Sequence, residues 1–385
     1  MSQIRFSHAE SMSFAEKMHG FSWLMFALMT LILVLSTIVL YSIGGSSESF
    51  GGWQPYAMSQ IGKIALGFIV FFAASFTNIK TWLKSSYLIY FGALILIILT
   101  DFVGHTGMGA QRWLNLGFMH IQPSELIKIA LVVSLARYFA WKNSTELSMF
   151  RTYVIPILLI VIPFLFVVVQ PDLGTALSLA IAGSAILWIV GAKKQWFMIA
   201  AVMMALAAPV VWFGGMHDYQ RNRVITFLNP DIDKSGAGYQ INQAKIAFGS
   251  GGLVGKGFLQ GTQSHLAFLP EKQTDFIFIS FGEEFGFIGS FLLLITYIFI
   301  TAILFWFSKT CRNRFGQLLT FGFMLNFFTY YFINIAMVLG LLPTVGVPLP
   351  LVSFGGSALL SLMFGFGLAQ NARIFKDQQL SAKGA

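Results

Sequence analysis

Ten separate stretches of about twenty apolar residues run along this 385-residue chain, and few architectures accommodate that many. In a bilayer every backbone N–H and C=O has to be satisfied within its own segment, so each stretch reads as a membrane-crossing helix. The expected spans are 21–41, 58–76, 87–103, 124–140, 153–169, 172–190, 195–213, 285–307, 316–339 and 352–372. Composition agrees: 56% of residues are hydrophobic and 10% charged, against about a quarter charged in a soluble domain. The expected fold is an all-α polytopic membrane protein, one domain over 1–385 with about ten transmembrane helices. The first stretch starts near Phe21 with no small-residue cleavage pattern behind it, which reads as a retained signal-anchor.

Lysines and arginines set the orientation. One set of alternate gaps, together with both termini, holds fifteen of them, including Lys80 and Lys84, Lys193 and Lys194, and Arg312 and Arg314. The opposite gaps 42–57, 170–171 and 340–351 hold none, and 104–123 holds only Arg112. Both termini are therefore expected in the cytoplasm. The one long loop, 214–284, falls outside, with six cations and seven acids. The net charge of +9 does not point to nucleic acid, because no Lys/Arg run exceeds two residues. The single cysteine, Cys311, excludes an intrachain disulfide. No fixed-period or inverted repeat is evident.

Chemistry concentrates in the outer gaps. The long loop ends in Leu269-Pro270-Glu271-Lys272-Gln273-Thr274-Asp275-Phe276, where Asp275 adjoins apolar, aromatic sequence. Partial desolvation there raises a carboxylate toward the range of a general base; a plain helix N-cap is the equal alternative. Glu283 and Glu284 read as first-turn acids that offset the dipole of the next helix. Arg112 and Trp113 pair a phosphate-binding guanidinium with an interfacial platform, or simply anchor the interface. In Gln122-Pro123-Ser124-Glu125-Leu126-Ile127-Lys128 the acid and the base stand three apart, on one helix face. An intramembrane cation such as Lys128 marks a substrate pathway, unless it belongs to a structural ion pair. Asp172, in the tight Gln170-Pro171 hairpin, can cap the following helix and also face the same outer cavity.

The segment 343–357 carries three prolines and three glycines together with Ser353. Irregular backbone of that apolar character is expected to pack inward. Gly249-Ser250-Gly251-Gly252-Leu253-Val254-Gly255-Lys256-Gly257 imitates a nucleotide-binding loop but lacks its first glycine and its final Ser/Thr. It reads as a glycine-rich turn whose Lys256 can still contact a phosphate. The histidines have no metal-ligand spacing, and a divalent cation held by carboxylates is left open. Cations and a desolvated carboxylate on the outer face suit a substrate that is already activated and membrane-anchored, such as a lipid-linked sugar.

The motifs GAQRW, QPSELIK, QPDLGT, LPEKQTDFIF with GEEFG, and PTVGVPLPLVSFGGS stand in the order found in the SEDS proteins (shape, elongation, division and sporulation), which this chain resembles over nearly its whole length. The run GAGYQINQAKIAFGSGGLVGKGFLQGTQ is most similar to the rod-shape elongation branch. The resemblance implies a peptidoglycan glycosyltransferase of the bacterial cytoplasmic (inner) membrane that polymerises lipid II at the outer leaflet. A hydroxyl of one undecaprenyl-linked glycan attacks the anomeric carbon of another and expels undecaprenyl pyrophosphate. It further implies that Asp275 is catalytic and that Trp113 is functionally important. The partners it implies are a class B penicillin-binding protein and other elongation-complex membrane proteins. Arg112, Trp113, Glu125, Lys128, Asp172, Lys256, Glu271 and Ser353 are the expected substrate-binding residues. Two other functions compete with this one: a flippase for the same precursor, which needs polar residues open to both leaflets, and an inert scaffold, which gives the motifs no reason to converge.

Overall fold

A computed structural model describes residues 12–44, 55–107, 110–115, 117, 120–216, 218–229, 236–262 and 271–380. Gly109 of GAQRW, residues 269–270 of the LPEKQTDFIF stretch, and 217, 230–235 and 263–268 of the long loop lie outside these. A capped turn, α1 (Phe14–Gly20), precedes α2 (Trp23–Gly44), α3 (Pro55–Phe76) and α4 (Ile79–Val103). Then come β1 (His105–Gly107), β2 (Ala110–Asn115) and β3 (His120–Ile121), followed by α5 (Pro123–Phe139) and α6 (Ser144–Leu147). Next are α7 (Arg151–Val169), α8 (Leu173–Val190) and α9 (Lys194–Val210), which closes in a π-helical turn, Val211–Gly215. The long loop contains α10 (Asp218–Leu228) and α11 (Ala237–Ser250); α12 (Ile277–Thr310), α13 (Arg314–Val338) and α14 (Gly356–Ile374) complete the chain.

Eight of these helices are long and apolar enough to cross a membrane, and α5 and α14 occupy the two remaining expected positions. The chain is a polytopic, all-helical membrane protein. Helix α5, 17 residues long, faces protein rather than lipid: Glu125 and every residue from Ile127 to Ala136 are buried. Helix α3 packs along α14, where Gly367 lets the backbones close; a Cβ there would lie 2.7 Å from the Phe71 carbonyl oxygen. Helix α4 starts at Ile79 rather than 87, because Asn78 caps it through a bond from the Lys80 N–H at 2.9 Å.

Two differences from the sequence reading shape the end of the bundle that carries segment 104–123. The gap 104–123 is not a plain loop. It folds into an antiparallel three-stranded sheet, with Trp113 opposite His105 and Leu114 opposite Ile121. The second difference is α12, which begins at Ile277 instead of 285 and breaks its helical path at Gly286 (φ 70°, ψ −167°). Main-chain bonds lost at the break are replaced by the glycine-rich turn. The Phe287 and Ile288 N–H groups donate to Gly252 and Leu253 oxygens at 2.9 and 3.0 Å. The Lys256 and Gly257 N–H groups donate to Glu283 and Glu284 oxygens, both at 3.0 Å. Glu283 and Glu284 are therefore not first-turn acids: they sit, buried, at a kink held by another part of the chain.

This arrangement makes Gly286 irreplaceable on two counts, its left-handed backbone and a Cβ position 2.7 Å from the Leu253 oxygen. Gly286→Ala is expected to cost on the order of 3 kcal/mol from strain and overpacking together. The unfolding temperature of the detergent-solubilised protein should fall accordingly. Gly92→Ala, in α4 with nothing within 4 Å of the new methyl, should leave it unchanged or raise it slightly.

Candidate active site

Asp275 occupies the turn that leads into α12, and its surroundings are built from backbone that has left the helix. The Glu271 oxygen, at a residue with φ 56°, accepts the Thr274 and Phe276 N–H groups at 3.1 and 3.3 Å. The Thr274 hydroxyl closes the turn on the Glu271 carboxylate at 2.8 Å. Segment 343–355 runs beside it. There the Phe354 N–H donates to the Gln273 oxygen at 2.8 Å, and the Ser353 hydroxyl donates to the Thr274 oxygen at 2.6 Å. Ser353 also accepts the Leu349 N–H at 2.8 Å, so its oxygen is committed to holding two irregular segments together.

A side chain on α13 clamps both segments from below. Asn334, fully buried, donates through Nδ2 to the Asp275 main-chain oxygen at 3.0 Å and to the Val347 oxygen at 2.7 Å. Gly346, at φ 73°, keeps the neighbouring space open: a Cβ there would lie 3.6 Å from Asp275 Oδ2. On the far side of Gly346 the first turn of α8 arrives, with a Cβ on Gly174 falling 2.9 Å from the Val345 oxygen. Asp172 caps that helix, accepting the Thr175 N–H at 3.2 Å and the Gln122 side-chain N–H at 2.9 Å.

The Asp275 carboxyl is lifted from its ordinary 3.8 to about 6. Burial is the main cause, Glu271 adds to it, Arg223 opposes it, and Asp172 raises it further. Arg223 reaches this point from α10 and donates to the Thr344 oxygen at 3.2 Å. Arg112, on β2, donates Nε to the Gln170 oxygen at 2.8 Å and Nη2 to the Pro171 oxygen, fastening the hairpin that carries Asp172. Trp113 follows it in the strand, partly exposed.

Beneath Asp172, Glu125 and Lys128 form a buried ion pair at 2.8 Å. The Tyr330 hydroxyl bridges them, accepting from Lys128 and donating to Glu125. Asp172 lies within electrostatic reach of Tyr330 as well as of Asp275, so one group of charges connects the ion pair to the carboxylate. Lys256 is placed elsewhere. It pairs with Glu283 at 2.6 Å and with the Thr262 hydroxyl at 2.7 Å, at the kink of α12. Lys256, the expected phosphate contact, is thus tied to the kink of α12 rather than to the Asp275 turn. Among the described residues no three His, Cys, Asp or Glu side chains come together as a metal site.

A family model described as a cell cycle protein, FtsW/RodA/SpoVE, matches residues 22–378. The chain belongs to that family. The peptidoglycan glycosyltransferase MrdB of Escherichia coli K12 is 42% identical over 93% of this chain and 95% of its own length. The MrdB protein of Helicobacter pylori 26695 is 34% identical, over 92% and 91%. A chain solved in work on the structural coordination of polymerization and crosslinking by a peptidoglycan synthase complex superposes with a TM-score of 0.78 at 26% identity. The match covers 93% of this chain and 99% of that one. The Thermus thermophilus rod-shape-determining protein RodA shares the fold at 24% identity, with a TM-score of 0.69, over 93% of this chain and 98% of its own.

Tyr330, Asn334 and Arg223 were not among the residues expected from sequence. Tyr330 and Asn334 stand four apart, on one face of a mostly apolar helix that also carries Gln317, Thr320, Asn326, Thr329 and Tyr331, and that spacing was the available signal. The ion pair yields a stability prediction. Lys128→Met strands Glu125 in the interior and should cost about 3–5 kcal/mol. Adding Glu125→Leu should recover much of that loss. Thermal unfolding of the two variants in detergent measures the difference.

Proposed function

We propose that the chain is a peptidoglycan glycosyltransferase of the elongation type, acting at the outer leaflet of the bacterial cytoplasmic membrane on lipid II. The observation that carries this reading is Asp275: a crowded carboxylate lifted to about 6 beside segment 343–355, with Arg223 and the Arg112 hairpin close by. A carboxylate in that range is ionised at neutral pH and still basic enough to take a proton from a sugar hydroxyl.

Asp275 removes the proton from the acceptor hydroxyl as its oxygen forms a bond to the donor's anomeric carbon. The bond from that carbon to the diphosphate oxygen breaks on the opposite face, inverting the centre and releasing the lipid diphosphate. Arg223 and the donors of Arg112 that remain beyond the hairpin stabilise the negative charge that develops on the leaving group. Trp113 offers an apolar platform for the sugar or lipid at the mouth. Glu125, Lys128 and Asp172 hold the floor and wall of the site, and Glu271 and Ser353 hold its turn. The likeness to a chain from a synthase complex supports a crosslinking partner of the penicillin-binding class, within an assembly of other elongation-complex membrane proteins. The positive-inside count supports cytoplasmic termini, with the 214–284 loop on the outer face.

The test is glycan-chain formation from purified lipid II by the reconstituted protein with its transpeptidase. Asp275→Ala should abolish polymer, and the rate of the wild type should rise about tenfold per pH unit below about 6, then level off above it, because the base works only when deprotonated. Polymer formed equally by Asp275→Ala would remove that residue from the mechanism. Lipid II scrambling across vesicles without any polymer would support a flippase instead.

A further inference from the structure

Beyond the Asp275 site, a cavity of about 310 Å³ opens at the other end of the helices, lined by Trp141, Arg312, Arg314, Phe315 and Leu380 among others. It lies where α5 has ended, α13 begins, and the chain leaves α14. Its walls are fixed by the main chain. The Arg312 N–H donates to the Lys376 oxygen at 2.9 Å, Asn313 Nδ2 to the Phe375 oxygen at 3.2 Å, and Trp141 Nε1 to the Leu380 oxygen at 3.3 Å.

Two guanidinium groups line this space with donors to spare. Arg312, whose side chain is 79% exposed, pairs among the described residues with Asp377, at 3.2 Å through Nε, and an exposed pair of that kind holds it weakly. Arg314 gives one N–H to the Lys142 oxygen at 2.9 Å. Each guanidinium carries five N–H donors, so most remain for a ligand. Residues 309–315 and 373–380 together hold five cations and one acid. Helix ends and an indole mark this plane as the membrane–water interface, and by the positive-inside count it is the cytoplasmic one. The anions concentrated at that plane are lipid phosphates, which a pair of arginines grips in bidentate fashion.

We infer that this cavity binds the phosphate headgroup of an anionic phospholipid of the cytoplasmic leaflet, gripped between Arg312 and Arg314. The leaflet rests on the orientation given above, whereas binding in detergent does not, so a wrong orientation and an absent site give different results. Native mass spectrometry of the full chain in detergent, titrated with phosphatidylglycerol, phosphatidylcholine or inorganic phosphate, reads the site directly. Phosphatidylglycerol should be retained in preference to phosphatidylcholine, and Arg312→Gln with Arg314→Gln should weaken its retention roughly tenfold or more. Arg312→Gln alone, at an exposed position, should give an intermediate loss with unchanged unfolding temperature, and Arg314→Lys should keep part of the affinity. Equal retention by wild type and double variant overturns the inference. Saturation of the site by inorganic phosphate at the same concentration overturns the lipid assignment, as does binding of an acidic peptide when no anionic lipid is retained.

Discussion

In the hydrocarbon region an unpartnered N–H or C=O costs several kcal/mol, and the chemistry of this chain is built on backbone that has left the helix. The other features at the Asp275 end of the bundle depend on how those groups are satisfied. Segment 343–355 is stitched in place from several directions: the Ser36 hydroxyl donates to the Val352 oxygen at 2.7 Å, Tyr297 to the Pro350 oxygen at 2.7 Å, and Asn334 to the Val347 oxygen at 2.7 Å. Each donor comes from a different helix. The irregular segment is thus the piece on which α2, α12 and α13 agree, and the turn bearing Asp275 is hung on it through Ser353 and Phe354.

The same rule governs the break in α12. A helix interrupted at Gly286 would expose donors and acceptors on both sides of the gap, and the glycine-rich turn 251–257 supplies their partners in the manner of a short strand. Glycine is needed in that turn because its backbone presses against the kink; a Cβ on Gly251 would meet Glu283 at 3.1 Å. The resemblance to a phosphate loop thus has a structural origin. Close approach of backbone to a ligand and close approach of backbone to backbone require the same residue, and here the second explains the pattern.

Much of the fold could be read from the chain because lipid imposes one requirement on every crossing, and ten apolar runs satisfy it. What escaped were features decided by residues far apart. The start of α12 at Ile277 rather than 285 depends on a turn about thirty residues upstream that supports Gly286. The strands in 104–123 are short and carry no clean alternation, so pattern gave no warning of them. Within the site, Glu125, Lys128, Asp172 and Asp275 stood out as charges in apolar surroundings. Tyr330 and Asn334 did not, because α13 carries several hydroxyls and amides, and such groups on a long helix are usually satisfied by their neighbours. Arg223 lay within a loop of mixed charge, where nothing distinguished it from five other cations.

The treatment of cations near this site matches what a glycosyl transfer from a lipid diphosphate to a hydroxyl would require. A wall of mobile, uncommitted guanidinium groups would hold the diphosphate product as well as it held the substrate, and uniform binding of that kind does not accelerate the chemical step. Three cations here are instead anchored: Arg112 to two hairpin carbonyls, Arg223 to the Thr344 carbonyl, and Lys128 to Glu125 and Tyr330. Anchored donors need little reorganisation when charge moves onto the leaving group, which is where preorganised electrostatics lowers a barrier. They also keep part of their hydrogen-bonding capacity engaged with protein, which limits how tightly a released diphosphate is retained. The backbone that has to be satisfied for the fold to survive in lipid is therefore the same backbone that fixes these charges, which under the proposed function are the ones that meet the diphosphate.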